Sequence, residues 1–435
     1  MAEVALEAAG SGGMVAPSLP VKHVAAVAVG NALQFYDFLT YAFFAAQIGR
    51  VFFPSHNPAS SLLASLATFG AGFLTRPVGG VVIGMMGDRV GRKPAMLLSF
   101  ALMGASILGL ALTPSYATIG VAAPILVIGF RLIQGFALGG EVGPSTAYLI
   151  EAAPPLKRGL YVSFQYMTQD AAVLVAGLVG VTLANLLSAP ALDAWGWRLA
   201  FLIGAAIVPF GLILRNGLPE TLEAAGARDE PSPPLRPYLR VAILGLVMFA
   251  SAMIVNYVLT YLTTYSGETL HMRASLAFGA TVVLGISGVV FDPIGGWLSD
   301  RFGRKPVMIW PWLFLLAAGA PAFLVLAHFR NAASLFGAAA ILEIPLAISA
   351  SSVLVAITES MPARIRSGAV STLYAVAVAV FGGTTQFAVT WLIQVTGSPL
   401  APAWYLAAAA GAGLIAILLF AETAPAHRKA PDSKA

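Results

Sequence analysis

Long apolar segments recur along the chain and are separated by short polar breaks. A helix that spans a bilayer needs about 20 mostly apolar residues, and twelve segments meet that requirement. They are residues 24–53, 60–84, 95–113, 119–150, 160–188, 198–216, 239–265, 275–298, 307–328, 333–358, 368–396 and 403–421. The pattern therefore predicts an all-α integral membrane protein with twelve transmembrane helices.

One longer polar interruption divides these segments into two groups of six. Residues 217–237 combine several prolines with several acids, which is typical of a linker. The sequence thus predicts an N-terminal six-helix bundle over 21–216 and a C-terminal one over 238–422. The remaining tails are residues 1–20, which we expect to be disordered, and residues 423–435.

Composition changes the picture by excluding other classes of protein. Hydrophobic residues make up 58% of the 435 and charged residues 10%, against roughly 25% charged in soluble domains. The chain has no cysteine, which excludes disulfide scaffolds and cysteine-ligated zinc. Its net charge of +5 comes from scattered bases, so no nucleic-acid surface is expected. Neither a histidine cluster for metal nor a nucleotide-binding glycine loop is present, and we predict no cofactor and no enzymatic activity.

Lysine and arginine are distributed unevenly between the predicted connections. Most lie in the tails and even-numbered connections, whereas Arg50, Arg198, Arg273 and Arg330 lie on the other side. Basic residues remain preferentially in the cytoplasm. We therefore predict that both termini and the linker are cytoplasmic, and that the protein lies in the cytoplasmic (inner) membrane.

Two sequence motifs occur in both halves of the chain. Gly87–Pro94, which reads GDRVGRKP, is repeated as SDRFGRKP at Ser299–Pro306. Glu151, Pro154 and Arg158 recur with the same spacing as Glu359, Pro362 and Arg366. Related halves place a substrate site at their interface near the membrane midplane. The loops are interpreted as a latch that breaks when the halves rock, or alternatively as basic loops that only fix topology. The predicted gating residues are Arg76, Asp88, Arg89, Arg92, Glu151, Arg158, Asp292, Asp300, Arg301, Arg304, Glu359 and Arg366.

A few ionisable residues interrupt the apolar segments, where each costs about 2.5–3.5 kcal/mol at a helix centre. The acids are Asp37, Glu141, Asp170, Asp292 and Glu343, and the bases are Arg76 and Arg131. We predict that Asp37, Glu141 and Asp170 take part in proton coupling. The alternative is that they form structural pairs, and the role of Glu343 is left open.

Polar residues fall on shared helical faces. Asn31, Gln34 and Asp37 lie three residues apart, as do Arg131 and Gln134, and such residues are neighbours on a helix. A guanidinium can bind a carboxylate through two parallel hydrogen bonds, so Arg131 is the predicted anchor for an anion. Helix–helix hydrogen bonds are the alternative reading. The predicted substrate-binding residues are Asn31, Gln34, Tyr36, Arg131, Gln134, Gln165, Gln169, Asn256, Tyr257, Tyr374 and Gln386.

The motifs resemble a known family. The two GDRVGRKP-like loops are similar to the signature loop of the major facilitator superfamily. Arg131–Glu141, which reads RLIQGFALGGE, and Arg76–Gly80 resemble its metabolite:proton symporter branch. Within that branch, PSYATIG at Pro114–Gly120 and WGWR at Trp195–Arg198 are most similar to citrate and tricarballylate carriers. The resemblance implies the major facilitator fold, with two pseudo-symmetric bundles that alternate access to a central site.

The resemblance and the membrane arginines together predict a secondary transporter that carries a citrate-like di- or tricarboxylate with protons. The expected partners are a small organic anion, protons and the lipid bilayer, with no nucleic acid, and the protein is expected to act as a monomer. A carrier of a zwitterionic osmolyte or an aromatic acid is the alternative. A transporter-like sensor and a membrane enzyme are the alternatives outside transport.

Overall fold

The computed structural model describes residues 32, 35–36, 38–89, 92–139, 153–216 and 236–424. Within these ranges the chain is mostly helical and contains no β-strand. Five residues with predicted functional roles fall outside the described ranges: Asn31, Gln34, Asp37, Glu141 and Glu151.

Six of the predicted membrane segments precede the linker, and each overlaps a described helix. These helices are α1 (Ala45–Phe52, with helical residues 38–43 before it), α2 (Pro58–Leu74, continuing past Thr75 as Arg76–Arg89), α3 (Arg92–Leu112), α4 (Ala122–Leu138), α5 (Arg158–Leu186) and α6 (Trp197–Asn216).

The C-terminal segments also each overlap a described helix. They are α7 (Leu239–Thr260, extended by Leu262–Thr264 and a π-helical turn at Tyr265–Thr269), α8 (Ala274–Phe302), α9 (Arg304–Phe329), α10 (Ala332–Glu359), α11 (Ala363–Ala377, a π-helical turn at Val378–Gly382, and Gly383–Thr396) and α12 (Ala401–Leu419). Short one-turn elements connect them at Tyr116–Ile119, Pro155–Lys157, Ala189–Ala191, Leu192–Gly196 and Arg236–Tyr238.

Length and composition indicate that most of the described helices can span a membrane. Among the described residues, eight helices are long and apolar enough to cross a bilayer, namely α2, α5 and α7 to α12. The helices α3 and α4 contain shorter apolar stretches, Leu97–Leu112 and Ala122–Leu138. The prediction of an all-α, multi-pass membrane fold is confirmed.

The two halves meet most extensively where α5 packs along α8. Glycines allow this close approach: a Cβ at Gly285 would lie 2.4 Å from the backbone nitrogen of Leu174, and one at Gly177 would lie 2.8 Å from that of Val282. Small residues at helix crossings allow close contact without a hydrophobic driving force in lipid. The helices α5 and α8 therefore form a tight seam between the halves, beside which the central cavity lies.

Candidate functional site

A small cavity lies between the two halves. In the N-terminal half its lining comes from α5 and from Phe35 and Leu39 of the first membrane segment, and in the C-terminal half from α7, α8, α10 and α11. Its volume is about 60 Å³, well below the roughly 300–1,000 Å³ of ligand pockets, so the helices are drawn closely around it in this conformation. The polar residues that line it are Tyr166, Gln169, Asp170, Asn256, Tyr257, Thr260, Asp292, Glu343 and Tyr374.

Three carboxyl groups face this cavity from three different helices. Asp170 belongs to α5, Asp292 to α8 and Glu343 to α10. Asp292 is 1% exposed and Glu343 is 4% exposed. The described residues of the lining include no arginine, lysine or histidine. The acids therefore share an enclosed space without a cation among these neighbours.

Two arginines are buried next to the cavity, in the N-terminal half. Arg131 on α4 is 0% exposed, and Arg76 on α2 is 6% exposed. Arg131 donates hydrogen bonds to the side chain of Gln134 and to the carbonyl of Phe69. Nε of Arg131, together with Nε and Nη2 of Arg76, has no hydrogen-bond partner within the described structure. Such buried donors are costly, which makes this arginine pair a candidate anion-binding site.

Aromatic rings hold both guanidinium groups. The Phe38 ring centroid lies 4.5 Å from Cζ of Arg76 and 4.3 Å from Cζ of Arg131. Arg76 also lies 4.5 Å from the ring of Phe73, and Arg131 lies 5.1 Å from that of Phe69. Cation–π contacts contribute about 0.5–2 kcal/mol each, and they stabilise a positive charge without neutralising it.

A single aromatic layer separates the arginine pair from the cavity. Tyr257 lines the cavity, and its ring lies 6.0 Å from that of Phe69 and 5.6 Å from that of Phe73. The arginines pack on those same two phenylalanines. Tyr257 on α7 therefore belongs both to the cavity lining and to the aromatic cluster that surrounds the arginines.

Glycine contacts between α2 and α4 position the arginines. A Cβ at Gly135 would lie 1.5 Å from the carbonyl oxygen of Gly72, and one at Gly139 would lie 2.0 Å from that of Arg76. Backbones at this separation exclude any larger side chain. The approach brings Arg131 against the α2 backbone and fixes its distance from Arg76.

Ion contacts close one end of the seam, which we call the motif end because it contains Asp300 and Arg304. Asp300 on α8 accepts hydrogen bonds of 2.9 Å from the backbone N–H groups of Gly159 and Leu160, at the start of α5. A carboxylate at a helix N-terminus is favoured by the helix dipole. Asp300 thereby joins the C-terminal half to the N-terminal half.

Arg304 connects the Asp300 contact with residues of the second repeated motif. Its Nη1 lies 2.6 Å from Asp300, and its Nη2 lies 3.3 Å from Glu359, the last residue of α10. Arg158 of the N-terminal half lies 3.7 Å from the same Glu359 carboxylate. The two repeated motifs therefore form one ion network that crosses between the halves.

Residues that follow α12 also contact the motif end. Glu422 accepts hydrogen bonds of 2.9 Å from the backbone N–H groups of Arg304 and Lys305, and so caps α9. Partial burial acts to raise the pKa of Glu422, but these bonds and those from Thr423 and Ala424 outweigh it, and the pKa is lowered from its ordinary value. The carboxylate is thus held in its charged form.

A smaller ion cluster closes the opposite end, which we define by Arg50. Its guanidinium contacts Asp193 at 2.7 Å in the N-terminal half and Glu268 at 3.0 Å in the C-terminal half. All three side chains are partly exposed. Contacts between the halves are therefore present at both ends.

The predicted substrate-binding residues divide into two groups. Gln169, Asn256, Tyr257 and Tyr374 line the cavity. The others that the structure describes do not: Arg131 and Gln134 form the pocket beyond the aromatic layer, Gln165 and Gln386 are buried in helix contacts, and the Tyr36 hydroxyl donates to the carbonyl of Ala200 on α6.

The predicted gating residues are also separated in space. Arg158, Asp300, Arg304 and Glu359 meet at the motif end, whereas Asp292 faces the cavity and Arg76 is buried in the aromatic pocket. Arg301 packs on the rings of Trp297 and Phe302. The described helices include Asp88, Arg89, Arg92 and Arg366, and their side-chain positions lie outside what the structure describes.

Sequence reasoning missed two features of the site. The first is the aromatic setting of the arginines by Phe38, Phe69 and Phe73; phenylalanines four residues apart on a glycine-rich helix are a weak signal for it. The second is the meeting of Glu343 with Asp170 and Asp292, for which the chain carries no spacing signal because three separate helices supply the residues.

Known proteins support the reading of the fold. A crystal structure of a D-xylose-proton symporter superposes with a TM-score of 0.75 at 19% identity, covering 93% of this chain and 98% of that one. Two curated relatives are closer in sequence. A citrate-proton symporter of Klebsiella pneumoniae is 38% identical over 90% of this chain and 89% of its own. A proline/betaine transporter of Salmonella typhimurium is 32% identical over 93% and 84%.

The family model for the Major Facilitator Superfamily matches residues 24–380, across the helices that form the cavity, the arginine pocket and most of both end networks. Together with the multi-pass helical fold, this match establishes that the chain belongs to the Major Facilitator Superfamily.

Proposed function

We propose that this protein is a proton-coupled symporter of a small citrate-like di- or tricarboxylate in the cytoplasmic membrane, with both termini cytoplasmic. The observation that carries the proposal is the pair Arg76 and Arg131, of which Nε of both and Nη2 of Arg76 are buried without a partner in the described structure, beside a cavity between the halves. The similarity to citrate-proton symporters supports the same substrate class.

Alternating access follows from the closed ends. A cavity of about 60 Å³ is too small for citrate, so binding requires the halves to separate at one end. Opening at the motif end breaks the Asp300 contacts with α5, and opening at the other end breaks the Arg50 contacts. In this cycle each network is the gate for one side of the membrane.

The arginines serve as the anion anchor. A carboxylate that enters past Tyr257 finds unpaired N–H donors on two guanidinium groups, which remain charged when desolvated. Hydrogen bonds to charged groups contribute about 1.5–3 kcal/mol. Arg131→Lys, which keeps the charge but loses the paired geometry, is expected to weaken citrate binding about 10- to 100-fold.

A zwitterionic substrate is the second candidate, favoured by the proline/betaine relative and by the cavity itself. The carboxyl groups in the cavity could bind the quaternary ammonium of a betaine, and the arginine pair could bind the carboxylate of the same molecule. The two candidates differ in charge, so a binding panel separates them.

The test measures substrate binding to purified protein and then uptake into proteoliposomes whose external solution is more acidic than the interior. Citrate, succinate, a betaine and an aromatic acid form the panel. Saturable citrate or succinate binding, weakened by Arg131→Lys but not by Arg273→Lys at an exposed position, would support the proposal. Binding of the betaine or the aromatic acid alone, or wild-type citrate affinity in Arg131→Lys, would contradict it.

A further inference from the structure

We propose that Asp170, Asp292 and Glu343 form one proton-binding site shared between the halves. This inference rests on the proposed proton-coupled transport and assigns the residues that carry the proton. It starts from Asp292, whose two carboxyl oxygens are buried and receive a hydrogen bond from no N–H or hydroxyl group of the described structure.

The carboxyl of Asp170 on α5 lines the same small cavity as Asp292, so the two groups lie close enough to interact directly. Two ionised carboxylates have no hydrogen between them and repel each other. A single proton converts the same contact into a hydrogen bond. The geometry of this pair therefore calls for one bound proton.

The seam between the halves enforces this contact. The Asp170 side chain is seated against Gly288 of α8, where a Cβ would lie 2.1 Å from its Oδ2. Gly288 is one turn from Asp292 on the same helix. Tight packing of α5 on α8 thus holds the two acids together, and their proton state is linked to the closure of the seam.

Glu343 completes the site from α10. It lies near enough to interact electrostatically with both aspartates and is buried at 4% exposure. No basic residue lines the cavity within the described chain, so a proton is the available counter-charge. The other titratable groups that face the acids are the hydroxyls of Tyr166, Tyr257 and Tyr374.

Protonation and anion binding then favour each other. Three ionised acids would repel a carboxylate substrate that enters the cavity, whereas protonated acids would not. By linkage, the bound anion raises proton affinity by the same factor. Coupling therefore follows from like-charge repulsion in one small space, while the arginine pair supplies the attraction.

The first test needs no substrate. The infrared C=O band of protonated carboxyl groups is followed while purified protein is titrated towards alkaline pH. We expect this band to fade during the titration in the wild type and in the control variant Glu223→Gln of the predicted linker. The band should be missing in Asp292→Asn and Asp170→Asn. An identical titration in wild type and Asp292→Asn would overturn the site.

The second test separates this site from the proposed function. Asparagine at position 292 can donate a hydrogen bond to Asp170, so Asp292→Asn keeps the packing. Its loss of gradient-driven accumulation should exceed its loss of counterflow exchange at least ten-fold. Full accumulation would overturn the inference. Absence of carboxylate uptake in the wild type, with the infrared titration intact, would overturn the proposed function instead.

Discussion

The carboxylate of Asp300, at the end of α8, accepts a 2.9 Å hydrogen bond from the backbone N–H of Gly159, in the first turn of α5. The contact connects the two halves through a side chain on one and the helix N-terminus of the other. We therefore expect the repeated motif to hold the two halves together at this end, and this expectation can be tested.

Asp300→Asn should open the motif end, because the amide loses the negative charge that holds both α5 and Arg304. A single cysteine at Ala350, in the cavity lining, reports the opening in this cysteine-free chain. Loss of charged hydrogen bonds worth about 1.5–3 kcal/mol predicts roughly 10-fold faster labelling from that side. Lys305→Gln, which removes a neighbouring charge outside the ion network, is the control. Equal labelling rates in both variants would argue against the latch.

Arg50→Gln should open the opposite end with little loss of stability. The partly exposed pairs with Asp193 and Glu268 contribute about 0.2–1 kcal/mol each, so the melting temperature should fall only slightly. Labelling of the same cysteine by a membrane-impermeant reagent should increase from the Arg50 side and not from the motif end. Arg273→Gln is the matched control at an exposed position. A large drop in stability, or increased labelling from both sides, would contradict this prediction.

Glu422→Gln should lower stability in a pH-dependent way. The pKa of Glu422 is lowered in the folded protein, so its carboxylate stabilises the fold above the unfolded value of about 4.3 and loses that contribution as the pH falls through the folded pKa. We expect the variant to melt below wild type at pH 7 and the two curves to converge on acidification. Thermal unfolding in detergent measures both. A constant difference across pH would indicate lost packing and not a charged cap.

Gly285→Ala should prevent full closure of the seam. The added methyl would lie 2.4 Å from the Leu174 backbone nitrogen, which cannot move without displacing α5. Gly337→Ala on α10, where a Cβ meets no atom within 4 Å, is the control. Cysteine cross-linking between α5 and α8 should be several-fold slower in Gly285→Ala only. Wild-type cross-linking in that variant would show that the helices adapt.

Hydropathy was sufficient to predict the membrane helices and the fold, because spanning a bilayer imposes a length and a composition that single segments reveal. It was not sufficient for the site. Lipid and the protein interior are both apolar, so the sequence of a membrane helix marks weakly which face points inwards. Tyr36 was expected in the cavity but bonds to α6, whereas Glu343 faces the acids of α5 and α8.

The repeated loops were more informative, since a motif that recurs with its charges constrains both halves together. The sequence did not show, however, which residues the charged side chains of these loops contact. Glu359 and Arg304 lie 55 residues apart in the chain, and only the packing of α9 against α10 brings them into contact.

Closure at both ends has a bioenergetic consequence. In the proposed cycle, the Arg50 cluster and the Asp300 network restrict access of the cavity acids to the two aqueous phases. If these acids carry the proton as proposed, the proton crosses the membrane only when one gate opens, and each opening breaks ion contacts between the halves. On this proposal, an empty carrier in the closed state conserves the proton-motive force, and proton leakage is limited to openings that occur without substrate.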